Sequence, residues 1–371
     1  MTSNKLVIIY GTRPEAIKFA PLIKLLREQE LIDLTVICSG QHKDMLHGIL
    51  DLWNVAPDVV LELEGSSLSG IPKFIQALEP LLAEIRPELV LVQGDTFTAA
   101  AGALASHSLA IPVGHLEAGL RSGDLWNPFP EESNRRIIDS VASLHFAPTE
   151  MAAENLRKEG HAKTVVLTGN TIVDAVNFVS QILEENQELG EKLEEKLGLS
   201  LTKDFILFTQ HRRESFGEGQ LGIYRAIKQL GGLGHVVVFP VHQNPKVKDL
   251  AQSFFADAQN VKLIPPQEYL EFLYLLKKSQ LIISDSGGLQ EEAPSFGKAI
   301  VITRTTTERS EVVQAGYGLL AGYDTTLIVE SAIRMLDTKR STGPNPFGDG
   351  RAADKTQEAI LEFFGNRKGG S

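Results

Sequence analysis

A chain of 371 residues exceeds the size at which one hydrophobic core stops growing, roughly 250–300 residues, so we expect two domains. Hydrophobic residues make up 43% of the chain, yet no apolar run approaches the roughly 20 residues that cross a bilayer, which argues against a membrane protein. The net charge of −11, from 36 basic and 47 acidic residues, argues against nucleic acid as a partner, and any phosphate must be met by local cations.

The first ten residues and the single cysteine indicate in which cellular compartment the protein is expected. Residues 1 to 10 lack the charged, apolar and small-residue regions of an export signal in that order. Cys38 cannot form an internal disulfide, and its apolar surroundings in the sequence favour a buried strand thiol over a nucleophile. We therefore expect a cytoplasmic protein.

Short apolar runs alternate with helical stretches along the first half of the chain. The runs are continuous rather than alternating, which is typical of a parallel sheet covered on both faces. The predicted strands are Lys5 to Tyr10, Leu34 to Ser39, Val59 to Leu63, Leu89 to Gln93, Pro112 to Leu116, Leu144 to Ala147 and Val165 to Leu167. They predict a doubly wound α/β domain over residues 1–172.

The same pattern restarts after a charge-rich helix, Asn177 to Leu197, which we interpret as a solvent-exposed linker region. The predicted strands of the second half are Phe205 to Thr209, His235 to Val241, Val261 to Ile264, Leu281 to Ser284 and Ala299 to Ile302. They predict a second doubly wound domain over residues 173–352. A turn-rich stop at residues 343–350 precedes a final amphipathic stretch, Ala353 to Phe364, which can pack on either half.

The first strand leads into a turn that suits an anion. Sheets of this type bind ligands beyond the carboxyl ends of their strands. Here a glycine turn opens a helix near Pro14, and its free backbone N–H groups, with Arg13 and Lys18, would suit a diphosphate. A βα turn with two solvated cations is an equal alternative.

Three carboxylates are predicted to gather at the same edge of the first sheet. Asp95 follows the fourth strand, Glu117 the fifth, and Glu131 lies at a predicted helix start. Their structural alternatives are a helix cap, a charge pair with Arg121 and a favourable first-turn charge, respectively. Because strand ends converge and like charges raise pKa values, the three acids together suggest proton transfer.

The second domain adds imidazoles after its first two strands. His211 follows the first strand and suits a general acid or base. His242 ends the next strand, where it can donate to a phosphate or satisfy a turn.

A later helix start gives the stronger nucleotide signal. Ser286, Gly287 and Gly288 allow a phosphate to approach the backbone closely, and Glu292 can accept from vicinal ribose hydroxyls. Arg309 either adds a cation here or forms a surface salt bridge.

One stretch of the sequence has the glycine spacing of a dinucleotide-binding site. Residues 217–222 match the dinucleotide fingerprint in letters, but the ribose-binding acid is missing, so we predict a loop. The sequence has no metal-ligand spacing, phosphate-binding P-loop or Gly-x-Ser-x-Gly elbow, and we expect neither metal nor redox cofactor.

Taken in chain order, several motifs closely resemble those of the non-hydrolysing UDP-N-acetylglucosamine 2-epimerases. They are Gly11 to Lys18, Gln93 to Thr96, His115 to Arg121, Pro130 to Arg135, His211 to Glu214 and Asp285 to Gly288. The resemblance runs from Lys5 to about Phe364. It implies the glycosyltransferase-B fold, in which two Rossmann-like domains close a cleft on UDP and the last helix, residues 353–371, crosses back to the first domain. It also implies a homodimer.

The resemblance further implies a reaction without a redox cofactor. UDP-GlcNAc and UDP-ManNAc would interconvert by anti elimination of UDP to 2-acetamidoglucal and re-addition at the anomeric carbon. The matching catalytic positions are Asp95, Glu117, Glu131 and His211, and which acid removes the C2 proton stays open. The matching UDP-binding positions are Arg13, Lys18, His242, Gln267, Phe272, Ser286, Gly287, Gly288, Glu292 and Arg309.

The resemblance fails at positions that bind an activating UDP-GlcNAc in many bacterial members. Asp44 stands where a second glutamine is expected, and Gly65-Ser66-Ser67 offers no arginine. We therefore expect a hyperbolic or altered dependence on UDP-GlcNAc. Strongly sigmoidal kinetics, with an absolute requirement for UDP-GlcNAc in the reverse direction, would contradict this expectation.

Four alternatives stay open at the level of sequence. The enzyme could accept a more substituted UDP-N-acetyl sugar, hydrolyse the nucleotide sugar to ManNAc and UDP, or transfer the sugar to an acceptor. The chain could also be a non-catalytic sensor of nucleotide sugars.

Overall fold

The computed structural model describes residues 4–40, 52–61, 70–197, 204–211, 215–241, 245–338 and 343–369. The chain divides into two compact units, Met1–Ala175 with Phe347–Ser371 and Val176–Pro346. Each unit is built on a parallel sheet with helices, which confirms the predicted α/β fold class. The domain boundaries predicted from the sequence, 1–172 and 173–352, stay predictions.

The first unit contains a parallel sheet with strand order β3-β2-β1-β4-β5-β6-β7. Its strands are β1 Asn4–Tyr10, β2 Ile32–Cys38, β3 Val59–Val60, β4 Leu89–Gln93, β5 Val113–Leu116, β6 Leu144–Ala147 and β7 Val165–Leu167. Leu6 to Tyr10 are fully buried, as a central strand covered on both faces requires. Cys38 is buried in β2, which confirms the predicted strand thiol.

Helices connect these strands, and threonines cap several of them. The helices are α1 Arg13–Gln29, α2 Ile71–Ile85, α3 Phe97–Ser108, α4 Glu131–Val141, α5 Glu150–Lys158 and α6 Thr171–Glu185. Thr96 and Thr149 accept hydrogen bonds from backbone N–H groups in the first turns of α3 and α5. The caps fix where each helix begins, directly after a strand end.

The second unit contains a parallel sheet with strand order β10-β9-β8-β11-β12-β13. Its strands are β8 Phe205–Thr209, β9 Val236–Pro240, β10 Val261–Ile264, β11 Leu281–Ser284, β12 Ala299–Ile302 and β13 Gly318–Leu320. Its helices are α7 Gln187–Leu197, α8 Glu218–Gly232, α9 Pro245–Phe254, α10 Tyr269–Lys278, α11 Gly287–Glu292, α12 Ser310–Gln314 and α13 Thr325–Asp337, with a 3₁₀ turn at Ala293–Phe296. A central cluster of apolar side chains, including Phe208, Tyr224 and Phe239, packs against this sheet.

Two sequence predictions in this unit are wrong. The stretch predicted as one helix from Asn177 divides at Asn186, whose side chain accepts from the backbone N–H of Leu189 and starts α7. The stretch 217–222, predicted as a loop, begins α8 instead, because Gly217 takes a positive φ of 86° immediately before the helix.

The chain returns to the first unit with a final helix, α14 Ala352–Gly369. The carboxylate of Asp174, which is half-buried, accepts hydrogen bonds from the first backbone N–H groups of α14, those of Ala352 and Ala353. Ile360 and Phe364 of this helix are buried. None of the described helices is long and apolar enough to span a bilayer.

Candidate active site

A buried carboxylate, that of Glu15, holds the turn after β1. Its Oε2 accepts from the backbone N–H groups of Gly11 (3.1 Å) and Thr12 (2.8 Å), and its Oε1 accepts from the Thr96 hydroxyl (2.8 Å). Burial raises the pKa of Glu15 to about 7, although these hydrogen bonds act in the opposite direction. Glu15 thus ties the turn that carries Arg13 to the loop that follows β4.

Only glycine fits at the base of this turn. A Cβ atom on Gly11 would lie 2.2 Å from the Ser39 hydroxyl oxygen and 2.3 Å from that of Thr98. The sequence predicted an anion site here from the glycine turn and its two cations. Arg13 is half-buried, and Lys18 is buried against a carboxylate.

Glu117 lies after β5 in an ion pair with Lys18. The Lys18 ammonium lies 2.6 Å from Glu117 Oε2, and Gln93 Nε2 donates to the same oxygen across 3.0 Å. Glu117 has a φ of 62°, a left-handed conformation that costs a non-glycine residue about 1–3 kcal/mol and is concentrated at functional sites. Arg121, considered as the partner of Glu117, donates to Asp139 and Glu159.

Asp95 is held by an arginine from α4. Arg135 donates to Asp95 Oδ2 from both Nε (3.0 Å) and Nη2 (2.7 Å), and Asn134 donates to the Asp95 backbone carbonyl (2.7 Å). The helix cap considered for Asp95 is supplied by Thr96 instead. The guanidinium fixes the direction of the carboxylate through charge-assisted bonds.

Glu131 is the first residue of α4 and is half-buried. Arg135, which binds Asp95, lies one helical turn further along the same helix. Gly94, beside Asp95, lies close to Glu117, since a Cβ atom on Gly94 would be 3.6 Å from Glu117 Oε2. The structure therefore brings Asp95 and Glu117 to adjacent loops and places α4, with Glu131, against them.

A buried histidine, His115, connects the loop after β4 to helix α4. His115 lies 2.5 Å from Asp139 Oδ1 through Nδ1 and 2.8 Å from the Gly94 carbonyl through Nε2. Burial alone would raise the pKa of Asp139, but the adjacent His115 ring and the Arg121 guanidinium hold it well below its usual range. The network links α4 to the residue that precedes Asp95.

The second unit holds His211 against a buried carboxylate. Asp285 follows β11 and is 1% exposed, whereas the His211 side chain is 45% exposed. Asp285 accepts from the His211 backbone N–H, and its Oδ1 lies 3.1 Å from His211 Nδ1. The two residues meet because β8 and β11 are paired in register, Thr209 opposite Ser284.

The helix start predicted at Ser286 is present in the second unit, and its binding of a nucleotide stays a prediction. The Ser286 hydroxyl caps α11, and a Cβ atom on Gly287 would lie 2.7 Å from an Arg309 guanidinium nitrogen. Arg309 is buried, donates to Glu291 Oε1 (2.5 Å) and also contacts Glu308. The structure therefore places Arg309 at the glycine turn rather than in a surface salt bridge.

The remaining predicted UDP-binding residues have varied surroundings. Glu292 is buried and accepts from the Tyr269 hydroxyl across 3.4 Å. Gln267 donates to the Pro265 carbonyl, and Phe272 is half-buried on α10. His242 lies outside the described residues, as do Asp44 and residues 65–67. No described group of three His, Cys, Asp or Glu side chains could hold a metal ion.

The comparison with known proteins decides the family. A family model described as UDP-N-acetylglucosamine 2-epimerase matches residues 24–361. The UDP-N-acetylglucosamine 2-epimerase of Campylobacter jejuni is 42% identical over 378 residues, covering 98% of this chain and 99% of that protein. The chain belongs to the UDP-N-acetylglucosamine 2-epimerase family. This confirms the resemblance predicted from the motifs and makes the chain a member of an isomerase family.

Solved structures of UDP-N-acetylglucosamine 2-epimerases share the fold. The enzyme from Neisseria meningitidis, bound to UDP-GlcNAc, is 39% identical with a TM-score of 0.92, covering 96% of this chain and 100% of that one. The enzyme from Methanocaldococcus jannaschii, in complex with UDP-GlcNAc and UDP, is 35% identical with a TM-score of 0.87, covering 96% and 99%. These likenesses confirm the predicted two-domain fold.

Sequence reasoning missed several residues that position the predicted epimerase side chains. Arg135 and Asp285 lie inside motifs that carried the family resemblance, but neither received a role. Arg135 lies at i+4 from Glu131 on one helix face, a spacing that the sequence contains. Asp285 follows a strand end in the same way as Asp95, so strand-end placement alone could have selected it.

Proposed function

We propose that this chain interconverts UDP-GlcNAc and UDP-ManNAc by eliminating UDP to form 2-acetamidoglucal and adding it back at the anomeric carbon. The observation that carries the proposal is the placement of Asp95 and Glu117 on adjacent loops, each held by a buried cation. The binding of UDP-GlcNAc by the similar Neisseria meningitidis enzyme supports the choice of substrate.

The proposed chemistry needs a positioned base and a stabilised leaving group. A C2 hydrogen of a sugar is weakly acidic, so its removal requires a carboxylate held in a fixed direction. Asp95, Glu117 and Glu131 are the candidates for proton transfer. The departing diphosphate needs cations and helix starts, for which we assign Arg13 and the turn Ser286 to Gly288.

We assign His211 an acid–base or phosphate-binding role in the same reaction. Asp285 lies against Nδ1 of the His211 ring, so Nε2 is the ring nitrogen that we assign to contact a substrate oxygen. Under this proposal Gln267 and Phe272 contact the uracil, while Lys18, His242, Glu292 and Arg309 complete the binding of UDP.

Proton NMR of UDP-GlcNAc with the enzyme in D₂O tests the reaction. Proton removal at C2 followed by return from solvent gives UDP-ManNAc with deuterium at C2. Product without that label would reject the mechanism, and release of free ManNAc would identify a hydrolysing enzyme. Binding of UDP-GlcNAc without any turnover would identify a sensor.

Two isosteric variants test the catalytic acids. Asp95→Asn and Glu117→Gln remove the charge while preserving shape, so each should lower turnover by at least ~10²-fold and retain UDP binding. The matched controls are Asp257→Asn and Glu28→Gln, exposed carboxylates that pair with surface lysines. Unchanged turnover in both test variants would remove Asp95 and Glu117 from the proposed site.

We also propose that the enzyme is a cytoplasmic homodimer, as the family resemblance implies. Light scattering of the protein as it leaves a size-exclusion column should give a molar mass twice the 40.6 kDa of one chain. A mass of one chain at micromolar concentration would contradict the dimer. Recovery of the protein with the membrane or exported fraction would contradict the location.

A further inference from the structure

The peptide that joins Gly94 to Asp95 follows a residue with unusual backbone freedom. Gly94 has a φ of 66°, in the left-handed region, and it lacks the Cβ atom that restricts backbone rotation in other residues. Asp95 is one of the three acids that we propose for proton transfer. The direction of its carboxylate therefore depends on contacts that hold this peptide in place.

His115 on β5 supplies such a contact. Its Nε2 lies 2.8 Å from the Gly94 carbonyl oxygen. A carbonyl oxygen can only accept, so Nε2 carries a proton and donates it. The Gly94 N–H donates to the Leu116 carbonyl across 3.0 Å, so the strand that carries His115 holds both polar groups of Gly94.

The His115 ring is itself held from its other side. Nδ1 lies 2.5 Å from Asp139 Oδ1, a separation at which a proton must lie between the two atoms. Asp139 also accepts from Arg121 across 2.7 Å. The side chains of His115 and Asp139 are 0% and 1% exposed, so water does not compete for these bonds.

Helix α4 thereby reaches the backbone of Asp95 by two routes. Asn134 of this helix donates to the Asp95 carbonyl, which follows the Asp95 Cα atom. Asp139, further along the same helix, holds the His115 ring, which donates to the Gly94 carbonyl before that Cα atom. The two peptides that flank the Asp95 Cα atom are therefore both fixed by side chains.

We propose that His115 is a positioning residue for the reaction, acting through the Gly94 carbonyl to aim the Asp95 carboxylate at the substrate. His115 is fully buried behind the loop, so its role does not include contact with the substrate. Loss of the Nε2 donor frees the peptide to rotate, and a misplacement of about 1 Å can cost about 10²-fold in rate. The inference rests on the proposed function for its reaction.

Two amide substitutions separate the two bonds of the His115 ring. In His115→Asn the amide NH₂ can take the place of Nδ1 and donate to Asp139, but it is too short to reach Gly94. In His115→Gln the amide NH₂ can take the place of Nε2 and donate to Gly94. His115→Asn should lower kcat at least about 10-fold and leave the affinity for UDP within about 2-fold, whereas His115→Gln should keep kcat within about 3-fold.

The matched control is His145→Asn, on the neighbouring strand. His145 is opposite His115 in the register of β5 and β6, and it is equally buried. Its ring contacts Thr164 and the backbone carbonyl of Asp139 rather than Gly94. His145→Asn should lower the urea midpoint of unfolding as His115→Asn does, but its kcat should stay within about 2-fold of the unaltered enzyme.

Crystal structures of the variants give a test that does not require turnover. In His115→Asn the peptide between Gly94 and Asp95 should be rotated and the Asp95 carboxylate displaced, while His115→Gln should keep both in place. An unmoved Asp95 carboxylate in His115→Asn would overturn the inference, even for a chain that did not epimerise UDP-GlcNAc.

The kinetic results separate the inference from the proposed function. Equal losses of kcat in the two His115 variants, or the same loss in His145→Asn, would overturn the positioning role. Added to Asp95→Asn, His115→Asn should cost little more, and losses that multiply would show that His115 acts elsewhere. If His115→Asn does not fold, a folded His115→Gln that loses more than about 10-fold in kcat would contradict the inference. Absence of turnover in the unaltered enzyme would instead refute the proposed function.

Discussion

The carboxylate of Asp285 contacts both the ring and the backbone of His211. Asp285 lies 3.1 Å from His211 Nδ1 and accepts from the backbone N–H of the same residue. A carboxylate at this distance from Nδ1 can accept a hydrogen bond from it and fix the direction of the ring. In the proposed acid–base role, Nε2 is the nitrogen that exchanges a proton with the substrate, and Asp285 holds the ring although its side chain is 45% exposed.

Asp285→Asn should lower kcat by about 10- to 10²-fold, because the ring loses the carboxylate that fixes its direction while the imidazole itself is retained. The control is a double-mutant cycle with His211→Gln. If Asp285 acts through His211, adding Asp285→Asn to His211→Gln should cost little more. Losses that multiply, measured by steady-state kinetics, would show that Asp285 has a separate role.

The sequence allowed Asp95, Glu117 and His211 to be selected as candidate site residues, because each follows the apolar run of a buried parallel strand. Their partners were not predicted, because pairing depends on strand order. Asp285 meets His211 only because β11 lies beside β8, and the linear pattern does not specify that adjacency. Arg135 reaches Asp95 across 40 residues for a similar reason.

At the scale of elements, Glu15 joins the β1–α1 turn to the β4–α3 loop. Its pKa is raised by burial from 4.5 to about 7. Between about pH 4.5 and pH 7, Glu15 is therefore protonated in the folded chain and ionised in the unfolded chain. The stability that Glu15 contributes is therefore fully present below about pH 4.5, falls as pH rises towards 7, and is constant above that.

Glu15→Gln should remove this pH dependence. The glutamine carbonyl can accept from the Gly11 and Thr12 N–H groups, and its NH₂ can donate to Thr96, so the fold should be retained. Relative to this variant, the unaltered chain should lose up to roughly 3 kcal/mol of unfolding free energy between pH 4.5 and 7.5. Urea unfolding across this range provides the measurement. A difference that does not vary with pH, or the same effect in the exposed Glu28→Gln, would contradict the assignment.

The junction between α4 and the loop after β5 depends on Asp139. This buried carboxylate bonds both His115 and Arg121, so its replacement by an amide breaks a buried ion pair, although Arg121 keeps its bonds to Glu159. Asp139→Asn should cost about 3–5 kcal/mol of unfolding free energy. Glu159→Gln, which removes a partner of Arg121 that is 33% exposed, should cost no more than about 1 kcal/mol. Similar shifts in the two denaturation midpoints would show that Asp139 is not central to the junction.

Element boundaries were predicted less well than element types. The break at Asn186 depends on one side-chain cap within a charge-rich stretch whose pattern continues across it. The start of α8 depends on Gly217 at positive φ and on Gly222, where a Cβ atom would lie 2.3 Å from the Tyr323 carbonyl oxygen. Both depend on backbone geometry and long-range packing, which local composition does not contain.

At the scale of the whole molecule, the two units are not consecutive in sequence. The chain leaves the first unit within α6 and returns to it before α14. The returning segment buries Phe347, Ile360 and Phe364, and Asp174 caps its helix. The first unit is therefore complete only when the last 25 residues are present, even though they are synthesised after the second unit.

A chain that ends at Pro346 should have a destabilised first unit. Each fully buried Phe or Ile contributes about 1.5–3 kcal/mol, so losing three of them removes much of the roughly 5–15 kcal/mol that stabilises a typical domain. Hydrogen exchange followed by mass spectrometry should show lost protection in β1 to β7 and retained protection in β8 to β13, whose core cluster lies within the second unit. A chain that ends at Arg367 retains all three buried side chains and should match the full-length protein. Full protection of β1 to β7 in the shorter chain would show that the first unit folds without α14, and uniform loss of protection would show that the two units unfold together.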